Sequence, residues 1–279
     1  MAEDVPISIV IPDTRQLLTG ISRAFAGALV FSLPMMMTME MWDLGFTIPE
    51  YRLALMLLLT LPLLVGLSRF GGFRETVQLF DDVADAMVGM GVAFVTALVV
   101  LWICGQITGD MSLRESLGKV AIQMIPGSIG ALLAQNQLGG TAGREKRRMR
   151  EPTYLGELFL MVVGALFLSL NIAPTDEVAL ISYAMSVSQQ LLLMALSLLL
   201  MHGFVYMVEF HGTHQEEGTL TSIFLRFTVV GYALALVVSL LLLWVFERTD
   251  GTSLEEIFKM AVVLAFPGAI GAAVARLAL

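Results

Sequence analysis

"SLRESLGKVAIQMIPGSIGALLA", residues 112–134, occurs a second time in the chain, which indicates a fold built from a repeat. The copy is "SLEEIFKMAVVLAFPGAIGAAVA", residues 253–275, which matches at about nine of 23 positions and keeps the Pro-Gly pair in step. Earlier in the chain, "GALVFSLPMMMTME", residues 27–40, matches "GALFLSLNIAPTDE", residues 164–177. The offsets of 141 and 137 residues indicate one internal duplication with small changes in loop length.

The composition is that of a membrane protein. Of the 279 residues, 57% are hydrophobic and 14% are charged, whereas a soluble domain has about 25% charged residues. A helix needs about 20 apolar residues to cross the hydrocarbon core of a bilayer. The lone cysteine, Cys104, is expected inside the third span. Eight stretches are predicted to span: 22–42, 50–69, 86–107, 117–137, 154–173, 178–207, 223–246 and 255–278.

Each copy of the duplication holds four predicted spans, and the basic segment "GREKRRMREP" joins them. Four spans return the chain to its starting side, so we expect parallel copies related by a pseudo-twofold axis along the membrane normal. The predicted fold is an all-α polytopic membrane protein of about eight transmembrane helices in two parallel four-helix repeats. Its predicted segments are a cytoplasmic N-terminal segment (1–20), a first membrane repeat (21–140), a basic cytoplasmic linker (141–153) and a second membrane repeat (154–279).

The basic residues predict the orientation. With a cytoplasmic N-terminus, 11 of the 16 Lys and Arg residues fall on the cytoplasmic side, as the positive-inside rule requires. Trp42, Trp102 and Trp244 then fall at the outer ends of spans, where an aromatic belt is expected. We therefore expect a bacterial inner-membrane protein with both termini in the cytoplasm. The net charge of −8 argues against nucleic acid as a partner.

One carboxylate is repeated at the predicted outer surface. Glu40, within the "SLPMMMTMEMW" stretch (residues 32–42), aligns with Glu177 in the second copy. The predicted spans place Glu40 at a helix C-terminus, where the helix dipole opposes a negative charge. The pair is interpreted either as interfacial side chains that extend to water or as a cation entrance with one acid per repeat.

The two Pro-Gly pairs lie in the middle of the fourth and eighth predicted spans. A proline inside a helix removes one backbone hydrogen bond and clashes with the carbonyl four residues earlier. Matching interruptions in two repeats are typical of transport sites; a simple kink beside a seam of small residues is the alternative. The predicted pathway and helix-break residues are Ile122, Gln123, Pro126, Gly127, Val263, Pro267 and Gly268.

Two further clusters are candidate cation or metal sites. Asp81, Asp82 and Asp85 form a predicted inner acidic cluster, which is either a cation site or a polar helix start that favours acids. His211 and His214 lie three residues apart beside carboxylates, which suits a zinc site or a solvated loop. The chain has no metalloprotease, P-loop or nucleotide-binding motif. We therefore predict no enzymatic activity and no cofactor.

The whole chain resembles a bacterial family of integral membrane proteins defined only as a domain of unknown function. The residues behind this resemblance are "SLPMMMTMEMW" and "PGSIGA" (residues 126–131), and it implies no particular activity. In the first span, "SRAFAGALVF" is similar, through Arg23 and Phe25, to the opening helix of endolysosomal and bacterial potassium channels. That resemblance hints at cation conduction, although their Phe-Ser-Asp motif is here Phe25-Ala26-Gly27.

These features together predict a cation channel or transporter whose path lies near the paired Pro-Gly segments. One alternative is a non-transporting membrane scaffold or assembly protein, and another is a lipid-handling intramembrane enzyme. The predicted partners are the lipid bilayer, a monovalent or divalent cation and further copies of the chain in a homo-oligomer. Water-accessible polar groups around Gln123 would favour transport, whereas a dry, tightly packed core would favour a scaffold.

Overall fold

The computed structural model describes residues 14–70, 79–137, 153–210 and 220–277. The first half contains α1 (Thr14–Met36), α2 (Met39–Thr47), α3 (Glu50–Phe70), α4 (Leu79–Ile103) and α5 (Leu113–Gln137). The second half contains α6 (Tyr154–Leu170), α7 (Glu177–Ala184), α8 (Val187–Phe210), α9 (Leu220–Ile223), a π-helix (Phe224–Val229), α10 (Val230–Val245) and α11 (Leu254–Leu277). No described residue is in a β-strand, so the predicted all-α class is confirmed.

Seven helical segments among the described residues are long and apolar enough to cross a membrane. They are α1, α3, α4, α5, α8, the π-helix together with α10, and α11. α6 is also apolar, but its 17 residues extend only about 25 Å at 1.5 Å per residue. The predicted polytopic membrane architecture is confirmed, and the fifth of the eight predicted spans, 154–173, corresponds to this shorter helix.

Two of the predicted spans are divided in the structure. The stretch 22–42 is split between α1 and α2 at Thr38, whose backbone is extended (φ −104°, ψ 122°). The stretch 178–207 is split between α7 and α8 at Met185, which is also extended (φ −86°, ψ 133°). Hydropathy did not reveal these breaks, because apolar residues flank them on both sides. Cys104 was also misplaced, since it follows α4 and is exposed.

The two helices that carry the repeated sequence, α5 and α11, lie at the centres of the two halves. α5 contacts α1, α2, α3 and α4, and α11 makes the corresponding contacts with α6, α7, α8 and α10. Of the membrane-spanning segment of α5, 72% is buried inside the protein, compared with 61% for α11 and 28% for α1. The matching contacts agree with the internal repeat, while a superposition of residues 22–137 on 155–278 stays a prediction.

Both central helices begin with the same capping motif. The pattern S-x-x-E occurs as Ser112 to Glu115 and again as Ser253 to Glu256. Each serine hydroxyl accepts the backbone N–H of that glutamate, at 3.2 Å in α5 and 3.3 Å in α11. In α11 the Glu256 carboxylate also accepts the Ser253 N–H at 3.4 Å, which completes a capping box. These bonds satisfy N–H groups that have no partner inside the helix, and so they favour helices that begin just after Ser112 and Ser253.

The two halves meet mainly through α3, which contacts α6 and α10. Between α1 and α6, the ring centroids of Phe31 and Phe167 lie 4.4 Å apart. Since α8 is the counterpart of α3, a pseudo-twofold axis would pair α8 with α1 just as α3 pairs with α6. Among the described residues, α8 and α1 make no comparable contact. This interface therefore does not confirm the predicted two-fold relation, which stays a prediction.

Candidate functional site

The two Pro-Gly pairs lie inside unbroken helices. α5 continues through Pro126, and α11 continues through Pro267. A proline removes only one intrahelical hydrogen bond, and the helices packed around α5 and α11 keep both segments helical. The residues four positions earlier, Ile122 and Val263, are 1% and 8% exposed. The predicted helix breaks are therefore wrong, and a role of these residues in a cation path stays a prediction.

Close contacts between glycines hold each central helix against the first helix of its half. A Cβ on Gly130 of α5 would overlap the carbonyl oxygen of Gly27 of α1. In the second half, a Cβ on Gly271 of α11 would overlap the carbonyl oxygen of Gly164 of α6. Backbones that approach this closely are typical of small-residue seams between membrane helices. The alternative interpretation of the Pro-Gly segments, a packing seam, thus has a structural counterpart in both halves.

The glycines of the Pro-Gly pairs also face packed neighbours. A Cβ on Gly127 would lie 3.1 Å from the Cβ of Ala93, and one on Gly268 would lie 2.8 Å from the Ser169 hydroxyl. That hydroxyl lies 3.5 Å from the carbonyl oxygen of Leu264, to which it donates. Pro267 leaves the carbonyl of Val263, four residues earlier, without its N–H partner, so the buried serine bonds the helix backbone one residue beyond that carbonyl.

Gln123 is buried at the end of α1. It is 1% exposed, and its Nε2 donates to the backbone carbonyl of Met35 at 3.2 Å. The Nε1 of Trp42 donates to the carbonyl of Met36 at 2.8 Å. The last carbonyls of a helix have no hydrogen-bond donor within it, and each of these two side chains donates to one of them. Among the described residues, no group donates to the Oε1 of Gln123.

Glu40 and Glu177 begin short helices and do not end spans. Glu40 lies in the first turn of α2, and Glu177 lies in the first turn of α7. The dipole at a helix N-terminus stabilises a carboxylate, so the predicted unfavourable placement is wrong. Glu40 is half-buried, whereas Glu177 is exposed. A hydrogen bond with Thr175 lowers the pKa of Glu177, which keeps this carboxylate charged.

The predicted inner acidic cluster begins α4. Asp82 is 2% exposed and accepts a hydrogen bond from the Ser68 hydroxyl of α3 at 3.2 Å. Asp81 is exposed and Asp85 is half-buried. Among the described residues, no three His, Cys, Asp or Glu side chains are grouped as a metal site requires.

The other candidate metal ligands, His211 and His214, lie outside the described residues. A metal role for these two histidines stays a prediction.

An ion pair that the sequence did not predict joins the two halves. Arg52, at the start of α3, is 5% exposed, and its Nη2 donates to both carboxylate oxygens of Asp250 at 2.8 Å. Its Nη1 donates to the carbonyl of Trp244 at 2.7 Å. The guanidinium carbon also lies 5.0 Å from the centroid of the Trp244 ring. These contacts connect α3 to the loop after α10.

A second unpredicted ion pair lies at the opposite end of the helices. The Nε of Arg276 in α11 donates to the Glu157 carboxylate of α6 at 2.7 Å, and both side chains are nearly buried. The guanidinium carbon lies 3.7 Å from the centroid of the Phe227 ring in the π-helix. In the sequence, the position of Arg276 at the end of an apolar helix is the feature that indicates an ion pair. The sequence alone does not identify the acid that pairs with it.

Comparison with known families gives a match over nearly the whole chain. The sequence profile of a family described as "Putative integral membrane protein (DUF2391)" matches residues 20–279. No curated protein and no solved structure matches the chain.

Proposed function

Because the chain belongs to this family of integral membrane proteins, we propose that it acts in the bilayer as a scaffold or assembly protein and moves no cation along its Pro-Gly helices. The observation that carries the proposal is the burial of the central segment of α5. Ile122, Gln123 and Ser128 are each at most 1% exposed. A cation path needs polar groups that replace the hydration shell of the ion, whereas the polar side chains of this segment, Gln123 and Ser128, are buried and donate to backbone carbonyls.

The continuity of the central helices supports the same proposal. Within a helix, backbone carbonyls bond to N–H groups four residues later and are not available to an ion. A charge at the centre of a bilayer costs at least about 2.5 kcal/mol even when it is snorkelling. The glycine contacts of Gly27 with Gly130 and of Gly164 with Gly271 close the space beside both Pro-Gly pairs.

We also propose a bacterial inner-membrane location with both termini in the cytoplasm. The support is the distribution of charge, since 11 of the 16 basic residues lie on one side of the predicted spans. The Arg276–Glu157 pair lies at the end of the helices nearest the basic linker, which we assign to the cytoplasm. The Arg52–Asp250 pair lies at the other end, which we assign to the outside.

An enzymatic role is not part of the proposal. Ser128 is the residue nearest to a serine nucleophile in sequence context, because "PGSIG" (residues 126–130) differs from the motif G-x-S-x-G only at Pro126. Its hydroxyl is fully buried and donates to the carbonyl of Ile125 at 2.8 Å. A nucleophilic serine needs a base within hydrogen-bond reach, and this hydroxyl is already engaged by the backbone. The lipid-handling enzyme alternative therefore has little support at this position.

Movement of a cation is the second candidate, and one observation favours it. Glu40 and Glu177 begin the equivalent short helices α2 and α7, and the lowered pKa of Glu177 maintains its negative charge. Paired acids at one membrane surface attract cations. For this candidate, a second conformation would have to open a path beside the central helices.

Ion flux into proteoliposomes distinguishes the two candidates. The purified chain would be reconstituted and tested over a panel of monovalent and divalent cations, with protein-free liposomes as the reference. A scaffold predicts flux equal to the reference for every ion. Flux above the reference that falls in Glu40→Gln and in Glu177→Gln would overturn the scaffold proposal and support the second candidate.

A further inference from the structure

The interface between the halves uses one face of α3. At one end of that face, Arg52 bonds to Asp250 of the second half. At the other end, Gly66 lies against the ring of Phe159 of α6, so that a Cβ on Gly66 would be 2.6 Å from the ring. The absent side chain of Gly66 thus provides the space that Phe159 fills. Small residues allow this kind of close approach between membrane helices.

The repeat assigns an equivalent residue in α8 to each residue of that face. At the offset of 137, Gly66 aligns with Gly203, and Thr60 aligns with Ser197. The alignment is supported by burial, because Thr60 and Ser197 are 5% and 1% exposed, so both helices bury the equivalent position. α8 therefore presents the same face as α3, in the same register.

That face of α8 is open. A Cβ on Gly203 would meet no atom within 4 Å. Gln189, the equivalent of Arg52, is exposed, and Leu192 on the same face is 74% exposed. Of the membrane-spanning segment of α8, 17% is buried inside the protein, compared with 33% for α3.

The surface that would complement α8 is open as well. In the second half, Trp244 is half-buried beneath the guanidinium of Arg52. Its equivalent in the first half, Trp102 at the end of α4, is 67% exposed. Phe159, which fills the space at Gly66, aligns with Ser22 of α1, and Ser22 is exposed.

Exposure to lipid alone does not distinguish these residues, so equivalent positions provide the comparison. Val95 and Val237 each lie seven residues before the repeated tryptophan, Trp102 or Trp244, so they are equivalent positions in α4 and α10, and they are 53% and 62% exposed. Such residues face lipid in both halves. Gly203 and Trp102 differ, because their equivalents Gly66 and Trp244 are covered by the other half.

From this asymmetry we infer that α8 of one chain packs against α1 and the Trp102 end of α4 of a second copy. Inside one chain, α3 packs against the second half. In the proposed interface, α8 makes the equivalent contact with the first half of a second chain. It is a head-to-tail interface, which closes into a ring when the rotation between neighbours allows it. A dimer, with four repeats around one axis, is the smallest such ring. The inference rests on the internal repeat and is independent of whether a cation moves.

Thiol cross-linking in native membranes tests this interface. In a Cys104→Ser background, one tagged chain would carry Ser22→Cys and a co-expressed chain with a different tag would carry Gly203→Cys. Treatment with a flexible bismaleimide should give a product at twice the chain mass of 30.3 kDa that contains both tags. A single chain with Gly66→Cys and Phe159→Cys is the positive control, because these positions touch within the chain.

The mixed-tag design also identifies the alternative. If α8 instead packs against α1 of its own chain, the double variant Ser22→Cys with Gly203→Cys would cross-link internally, and the mixed-tag product would be absent. Absence of the mixed-tag product while the positive control reacts would overturn the inference.

A bulky substitution provides an independent test. Gly203→Trp should block the proposed interface and reduce the dimer fraction measured by native mass spectrometry from mild detergent. Val237→Trp, on a face exposed in both halves, should leave the dimer fraction unchanged. Equal dimer fractions in the two variants would contradict the proposed interface.

Discussion

Arg52 and Asp250, which are 198 residues apart in the chain, are joined by two hydrogen bonds of 2.8 Å across the boundary between the halves. The arginine side chain is 7% exposed and the aspartate is 47% exposed. This ion pair connects the two halves at the end of the helices where α3 begins. It also provides a direct measure of how strongly the halves are coupled.

A double-mutant cycle on Arg52→Gln and Asp250→Asn should give a coupling energy of about 0.5–3 kcal/mol. Asp250→Asn removes the negative charge and one of the two oxygens that the buried guanidinium bonds, and burial limits screening by salt. Denaturant unfolding in detergent measures the four stabilities. The exposed pair of Arg114 with Glu50 is the matched control, for which about 0–1 kcal/mol is expected. Equal coupling in the two pairs would show that burial adds nothing to the connection between the halves.

Gly27→Ala should destabilise the protein by about 1–3 kcal/mol, because the new Cβ would overlap the backbone of Gly130. Gly164→Ala should have a similar effect in the second half, where the neighbour is Gly271. Gly91 of α4 has no atom within 4 Å of a Cβ, so Gly91→Ala should be neutral or stabilising by up to about 1 kcal/mol. Thermal melting in detergent separates these outcomes, and a neutral Gly27→Ala would refute the close seam.

Glu177→Gln should lower stability at neutral pH, and the difference from the native chain should vanish in acid. The hydrogen bond with Thr175 lowers the pKa of Glu177 in the folded protein. A carboxylate with a lowered pKa stabilises the fold above its unfolded pKa of about 4.3, and this contribution disappears as the pH falls through the folded value. Unfolding curves of both proteins between neutral and acid pH measure it. A difference that stays constant with pH would exclude the charge of Glu177 as its cause.

The linker and both termini should be cytoplasmic. Periplasm-active reporter fusions after Arg148 should be inactive, and fusions after Asp110 or Asp250 should be active. The physical reason is the excess of basic residues on the linker side. Activity after Arg148 would place the linker outside, which requires either a reversed orientation or an odd number of spans before the linker.

The sequence predicted the parts of this fold that rest on periodicity and on repetition. The two copies of the Pro-Gly stretch identified α5 and α11, which the structure places at the centre of each half. The expected family resemblance is confirmed by the match over residues 20–279. Apolar length alone could not reveal the breaks at Thr38 and Met185, because a break depends on backbone angles and on side chains that bond the backbone beside it, as Trp42 and Gln189 do.

The candidate site was less predictable, since tertiary contacts decide it. Pro126 suggested a broken helix, but neighbouring helices preserve α5 through it. Gln123 suggested a water-lined path, whereas its Nε2 bonds to the end of α1. In the sequence, Arg52 was only one of the basic residues that predict the orientation. Its ion pair could not be predicted, because its partner Asp250 lies far away in the chain.

Thiol accessibility at Ser128 tests whether the Pro-Gly core is closed to water. Ser128→Cys in a Cys104→Ser background replaces one buried oxygen with sulfur beside Pro126-Gly127. A charged, membrane-impermeant methanethiosulfonate would be applied from each side, with the exposed Cys104 of the native chain as the reference. We predict a reaction at least about tenfold slower than at Cys104, since labelling requires local opening. A rate equal to that of Cys104, slowed further by an added cation, would contradict the closed core.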